Sequence, residues 1–153
     1  MANIVFNIAK GRVAELYDRV KSNDPANSAI ILIPIETSGL EADSVLIDAD
    51  TVAAVLAGAT NEQSTMGRKT LTDSDLASIP APDDTNDRNE RSLPTVTWTA
   101  ASGNAISKIL VAYDSDTTGG TDSNLIPLTM FDFAQTPSGA DIQMTTGTFF
   151  RAS

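Results

Sequence analysis

Ala29-Ile-Ile-Leu-Ile-Pro-Ile35 is the longest apolar run of the chain and the segment that decides its fold. It is rich in β-branched isoleucine and presents apolar side chains on both faces, which predicts a strand buried on both sides. Pro34 has no N–H to donate to a neighbouring strand, so we expect it at an edge or a bulge. With seven residues, the run is far too short to cross a bilayer as a helix.

The segment before this strand has the pattern of an amphipathic helix. Between residues 8 and 21 the apolar side chains recur at helical spacing and form one stripe, made of Val13, Leu16, Tyr17 and Val20. Asn7 or Gly11 would mark the start of the helix, and residues 22–25 its end. Residues 1–25 are therefore predicted to form an N-terminal arm and helix.

Two short helix signals follow the apolar strand. Aspartates 48 and 50 precede the small apolar run at residues 52–57, and Gly58 follows it. This order predicts an aspartate-capped helix of about two turns with glycine just after its end. Residues 72–75 resemble a capping box and predict a second helical turn.

Residues 80–94 contain almost no apolar side chains. Such a segment cannot bury enough apolar surface to offset the entropy lost when it becomes ordered. It is predicted to be a long exposed loop, or an arm that becomes ordered against a partner.

After Pro94 the sequence changes to a β pattern. Val96, Trp98 and Ala100 alternate with threonines, which is typical of a half-buried strand. Three further strands are predicted, and turns rich in glycine and polar residues separate them: residues 106–113, 125–133 and 141–151. Four strands joined by loops predict an antiparallel β-meander over residues 95–153.

These patterns together predict one mainly β domain over residues 1–153. We expect an antiparallel β-sandwich or barrel with an N-terminal amphipathic helix and one or two short helices. Hydrophobic residues make up 41% of the chain and aromatic residues only 5%. The core is therefore expected to consist mainly of Ile, Leu, Val and Ala side chains.

The 153 residues include neither histidine nor cysteine. This excludes Ser-His-Asp and Cys-His catalytic groups, zinc sites of the usual kind and iron–sulfur clusters. The net charge of −10, without a dense basic cluster, disfavours binding to nucleic acid or to an anionic membrane. We predict a binding or structural protein that is not an enzyme and needs no cofactor.

Lys10, Arg12 and Arg19 form one candidate partner interface. They lie in the first 21 residues, whose four basic and two acidic side chains leave a net charge of +2 on an otherwise acidic chain. They suit attachment to an acidic neighbour, including another copy of this chain. The alternative is a solvated helix face.

Phe149, Phe150 and Arg151 form a second candidate interface at the C-terminal end. In a strand the two phenylalanines point to opposite faces. One is expected in the core, and the other would be covered by a neighbouring subunit. The alternative is that both are buried within a single sandwich.

Asp114, Asp116 and Asp122 are candidate ligands for a calcium ion. The first half of their segment resembles a calcium-binding loop, because oxygen ligands alternate along it and a glycine follows. The second half departs from the pattern: Thr121 stands where an aliphatic residue is usual, and Leu125 where glutamate is required. We therefore favour a hairpin loop and predict no metal.

Asp83, Asp84, Asp87 and Glu90 offer the pair of carboxylates that a glycoside hydrolase uses. They lie in the predicted exposed loop, which implies no dry pocket for acid–base catalysis. We expect these side chains to serve solubility instead.

Several strings distributed over nearly the full length carry a resemblance to a known class of proteins. They are Asn7-Ile-Ala-Lys-Gly-Arg12, Pro25-Ala-Asn-Ser-Ala-Ile30, Gly39-Leu-Glu-Ala-Asp43, Thr65-Met-Gly-Arg-Lys-Thr-Leu-Thr72, Pro82-Asp-Asp-Thr-Asn86, Asp116-Thr-Thr-Gly-Gly-Thr-Asp122 and Phe150-Arg-Ala-Ser153. With these strings the chain resembles the small acidic virion structural proteins of tailed bacteriophages. None of the strings carries a chemical mechanism.

The resemblance implies a head decoration or cement protein. Such a protein is assembled in the host cytoplasm, sits on the outside of the capsid, contacts the major capsid protein and often forms a homotrimer. No catalytic residues belong to this class, so none is carried over. Two alternatives stay open: another virion component, such as a tail, adaptor or fibre-base protein, and a carboxylate-based module that binds or cleaves glycans.

Overall fold

The computed structural model describes residues 3–76 and 80–152, and it is mainly β with antiparallel strand pairing, as the sequence predicts. The strands are β1 (Asn3–Val5), β2 (Ala29–Glu36), β3 (Lys69–Leu71), β4 (Asn89–Leu93), β5 (Val96–Trp98), β6 (Ile106–Asp114), β7 (Ile126–Gln135), β8 (Ile142–Met144) and β9 (Gly147–Ala152). The helices are α1 (Val13–Lys21), α2 (Asp43–Leu46) and α3 (Val52–Val55), with a 3-10 turn at Asn7–Ala9.

The centre of the fold is a five-stranded sheet in the order β1-β7-β6-β2-β3. Side chains of β2 alternate between two separate hydrophobic clusters, one on each face of the sheet. Ile30 and Leu32 belong to one cluster, whereas Ile31, Ile33 and Ile35 belong to the other. The prediction of a strand buried on both faces is therefore confirmed.

Pro34 lies in the part of β2 that extends beyond its pairing with β3. It pairs with Ile109 of β6 on one side, but β3 on the other side covers only residues 30–32. The carbonyl of Pro34 accepts a hydrogen bond from the Gln63 N–H on that flank, at 2.9 Å. Because the N and C=O of a strand residue face the same side, the missing N–H leaves no gap in the β2–β6 ladder. The strand then bulges at Ile35.

The remaining four strands form a bent two-stranded arrangement, which we call the ribbon. β4 pairs with β9, and β5 pairs with β8. Leu93 lies opposite Gly147 and Val96 opposite Met144, so one register continues across the break between the two halves. At the break, the Thr146 N–H donates to Thr95 Oγ1 and the Thr146 hydroxyl donates to the Leu93 carbonyl.

The ribbon corrects two predictions. The expected exposed loop over residues 80–94 is wrong for Asn89–Leu93, which form β4 and bury Arg91 and Leu93. The expected sequential meander is also wrong. Among the described strands after Pro94, β6 and β7 are the only two consecutive strands that pair with each other, whereas β5 pairs with β8. In both cases strands far apart in sequence pair with each other, and no local pattern reports such pairing.

One face of the sheet packs against the ribbon and α1, and the other against the segment that contains α2 and α3. Trp98 is fully buried in the first cluster, where its indole N–H donates to the Gly67 carbonyl at 2.9 Å. This cluster also contains Val13, Leu16, Tyr17 and Val20 of α1, Leu93, Met144 and Phe149 of the ribbon, and Ile109, Val111, Leu128 and Phe131 of the sheet.

The N-terminal segment is part of this core rather than a projecting arm. β1 joins the edge of the sheet beside β7, and the predicted apolar stripe of α1 is buried. The helix starts at Val13, after Gly11, whose φ is +79°. The short helix α3 is capped by Thr51, whose Oγ1 accepts the Ala54 N–H, and not by an aspartate as predicted.

Candidate functional site

Ion pairs between distant segments are the main polar feature of the described structure. Arg91 of β4 is 4% exposed and forms two hydrogen bonds with the carboxylate of Asp18 on α1, each 2.7 Å long. The adjacent Tyr17 hydroxyl donates to the Ser92 carbonyl at 2.8 Å. Burial raises the pKa of the Tyr17 hydroxyl, so it remains a donor at neutral pH. These bonds attach α1 to the ribbon.

Arg68 joins two further segments. Its guanidinium contacts the carboxylates of Glu62 and Asp122, with Nη2–Oε2 at 2.5 Å and Nη1–Oδ1 at 2.6 Å. The hydrogen bonds to Glu62 and Asp122 raise the pKa of Arg68. The Asp122 carbonyl also accepts the N–H of Ala53 at the start of α3. The loop between β6 and β7 is therefore fixed at Asp122.

The Arg68 pair makes stability depend on pH. Its hydrogen bond holds the pKa of Asp122 below the ordinary value, so the pair stabilises the fold above about pH 4 and is lost as the pH falls through the lowered pKa. We expect Tm to fall more steeply on acidification in the wild-type protein than in Asp122→Asn. Thermal melts from about pH 6 to pH 2.5 measure this difference. Parallel curves for the two proteins would contradict the expectation, and Asp50→Asn, at an exposed position, is the matched control.

The calcium candidates are not brought together as ligands. Asp122 is bound to Arg68, whereas Asp114 Oδ1 accepts the Asp116 N–H and Asp116 Oδ1 accepts both the N–H and the hydroxyl of Thr118. The Thr118 bonds lower the pKa of Asp116. Across residues 3–76 and 80–152, no three acidic side chains are grouped in a way that would hold a metal ion. The segment has the hydrogen bonds of a hairpin loop instead.

Lys108 of β6 is buried between two carboxylates. Its Nζ lies 2.9 Å from Asp43 Oδ1 at the start of α2 and 3.2 Å from Asp132 Oδ1 of β7. Burial lowers the pKa of Lys108, but the hydrogen bonds to Asp43 and Asp132 outweigh it and raise the pKa overall. The ammonium is therefore held charged and links α2 to the sheet.

The acidic segment around residue 83 forms a closed turn with its own hydrogen bonds. Asp83 accepts bonds from the N–H groups of Thr85 and Asn86, from the Asn86 side chain and from Arg88 Nε. Arg88 also lies 3.7 Å from Glu90, which in turn binds Arg151 at 2.7 Å.

Asp83 does not have the properties of a general acid. The Asn86 side chain, the Asn86 N–H and then Arg88 lower the pKa of Asp83, whereas a general acid needs a raised pKa. Arg88 also stands between Asp83 and Glu90, so it holds both carboxylates in ion pairs. The described geometry of this segment fits a structural turn.

The basic interface candidates lie on α1 and just before it: Arg19 is in the last turn of the helix, whereas Lys10 and Arg12 precede its first residue. Lys10, Arg12 and Arg19 are all exposed. Arg12 and Arg19 share one carboxylate, that of Glu15, at 3.5 Å and 3.2 Å, and these three side chains are about half exposed. Surface pairs of this kind contribute little to stability, so the cations stay accessible to a partner.

The C-terminal candidates divide between core and surface. Phe149 is buried, and its ring centre lies 5.8 Å from that of Tyr17. Phe150 is partly buried against the same cluster, and Arg151 is exposed in its ion pair with Glu90. One phenylalanine thus lies in the core as expected. The covering of the other by a subunit remains a prediction.

The sequence analysis missed an apolar hollow between β7 and the ribbon. It has a volume of about 160 Å³ and no ionisable side chain in its lining, which includes Phe131, Phe133, Met144 and Phe149. The sequence does contain a signal for this hollow. Phe131 and Phe133 are two residues apart in a strand, so both rings lie on the same face of it. The uncharged lining supplies no group for acid–base chemistry.

Neither a family model nor a curated protein nor a solved structure matches the chain. No helix within the described ranges is long and apolar enough to cross a membrane.

Proposed function

We propose that this chain is a structural protein of a tailed-phage virion, which decorates the outside of the head and stabilises it by bridging major capsid subunits. In this role it acts as a homotrimer, without a cofactor and without catalysis. The proposal rests first on the sequence strings that resemble small acidic virion proteins. The geometry adds a physical reason for it.

The placement of the charged side chains is the structural observation that supports the proposal. The partly or fully buried cations join segments far apart in sequence: Arg91 to Asp18, Arg68 to Asp122, and Lys108 to Asp43. Ion pairs with several hydrogen bonds hold their partners in one geometry. Such links between α1, the ribbon, the sheet and α2 suit a body that transmits load, which is what a capsid joint requires.

The acidic surface supports the same proposal. A net charge of −10 keeps the free protein soluble before assembly. A decoration protein must remain unassociated with wrong partners until the head offers its binding sites. The exposed basic side chains on and just before α1 and the partly buried Phe150 then offer contact points of a different character from the rest of the surface.

Heads that lack this protein are expected to release their DNA at a lower temperature than complete heads, because bridging contacts between capsid subunits are missing. Release can be followed by the fluorescence of a DNA dye during heating. Adding back the purified protein should restore the higher temperature, and the Asp50→Asn protein should do so equally well. Equal release temperatures for complete and deficient heads would contradict the proposal and favour a tail, adaptor or fibre-base position.

A further inference from the structure

Three exposed basic side chains lie on α1 and just before it, on a protein that is otherwise acidic. We define the basic helix face as Lys10, Arg12 and Arg19, which are all exposed. Within this face only Glu15 offsets the three cations, so the net charge is +2. The chain as a whole has 20 acidic and 10 basic residues, so a second copy offers many carboxylates that could bind this face.

Residues 83–88 form the acidic surface that we pair with it, and we call this segment the acidic turn. Asp83 holds the turn together through its bonds to Thr85, Asn86 and Arg88. Asp84 and Asp87 take no part in those bonds and are exposed. Because the turn is already ordered, binding through these two carboxylates costs little conformational entropy.

The two surfaces occupy different positions on one molecule. β4 follows the acidic turn directly, and its Arg91 binds Asp18 on α1, so this ion pair fixes the start of the ribbon against the helix. A contact between two different patches is heterologous, and repetition of such a contact by rotation gives a closed ring.

We propose that the basic helix face of one copy binds the acidic turn of a second copy. The occupant is a copy of this chain because the two surfaces are complementary in charge, +2 against the two free carboxylates of the turn. This inference rests on the proposed function, in which identical copies act together. It adds the residues that form the contact between them.

Salt affects this contact in a defined way. The charges are exposed, and at an ionic strength of 0.15 M interactions are screened beyond about 8 Å. The general repulsion between acidic copies is therefore weakened, whereas groups in direct contact still attract each other. At about 1 M salt the screening length is about 3 Å, and the association is expected to be lost.

Sedimentation velocity of the free protein tests the contact with two variants of opposite design. In the face variant, K10E, R12E, E15K and R19E reverse the charges of the basic helix face and of Glu15, so that residue 15 keeps its pairs with residues 12 and 19. In the turn variant, Asp84→Lys and Asp87→Asn reverse the sign of the turn, and Asn suits the positive φ of 49° at position 87. Asp50→Lys with Asp73→Asn changes the net charge as the turn variant does and is the matched control.

We expect the wild-type protein and the control to associate at 0.15 M salt. Each reversed variant alone should bind itself at least about tenfold more weakly, and an equimolar mixture of the two should regain association. A monomeric wild-type protein would overturn the inference, and so would a mixture of folded variants that fails to associate. Because no capsid is present, either result would leave the head-release experiment unaffected, and failure of that experiment would leave this one standing.

Discussion

Replacement of Gly39 by alanine is expected to lower the free energy of unfolding by about 3 kcal/mol. Gly39 has φ +80°, a left-handed conformation that costs other residues about 1–2 kcal/mol. A Cβ at this position would also overlap the carbonyl oxygen of Ala59. Overpacking against a backbone group that cannot move aside adds about 1–3 kcal/mol. Urea denaturation of the two proteins measures the loss.

Two other glycines separate these contributions. Gly67 has φ +75° but no atom within 4 Å of a built Cβ, so Gly67→Ala should show the conformational cost alone. Gly119 has neither a neighbour there nor a positive φ, so Gly119→Ala should change stability by less than about 1 kcal/mol. A Gly39→Ala protein as stable as Gly119→Ala would show that the backbone at residue 39 does not approach the Ala59 carbonyl in the way described.

Removal of the Asp18 carboxylate is expected to cost about 3 kcal/mol, the second of the large effects. The side chain of Arg91 is 5% exposed, and without Asp18 its guanidinium would be buried with no opposite charge. Asp18→Ala should therefore unfold at a markedly lower urea concentration than wild type, with the same slope of free energy against urea.

Comparison of Arg91→Met with Asp18→Ala tests whether the unpaired buried charge causes the loss of stability. Arg91→Met removes the buried charge and leaves an apolar side chain of similar length, so its cost should be much smaller than that of Asp18→Ala. Glu15→Ala, on the exposed face of α1, is the control for loss of a surface carboxylate and should cost less than about 1 kcal/mol. If Asp18→Ala were as mild as Glu15→Ala, the attachment of α1 to the ribbon would not depend on this pair.

The parts of the fold that the sequence predicts are those with a local signal. Residues 29–35 are apolar at every position, and this is enough to predict a strand covered on both faces. The stripe of α1 has helical spacing and is buried as predicted. β4 has no such signal, because its residues Asn89-Glu-Arg-Ser-Leu93 are mostly polar and become a strand only by pairing with β9, more than 50 residues away.

The polar contacts were harder to predict for the same reason. Arg68 and Asp122 are 54 residues apart, and Arg91 and Asp18 are 73 apart, so no spacing along the chain indicates that they meet. The acidic loop at residues 114–122 resembled a calcium loop because composition alone does not reveal that Arg68 occupies one carboxylate. In contrast, a solvated position for Arg19 agrees with its place outside the apolar stripe of α1, and its side chain is exposed.

The break in the ribbon at Pro94 and Thr95 has a consequence for the direction of its side chains. In an uninterrupted strand Leu93 and Val96 would face opposite sides, because they are three residues apart. Both are instead buried in the first cluster, together with Trp98, Met144 and Phe149 of the same ribbon. At the break, two threonine hydrogen bonds replace the regular ladder. The break therefore changes which side chains of the strand point inward, so that both halves of the ribbon cover the same core.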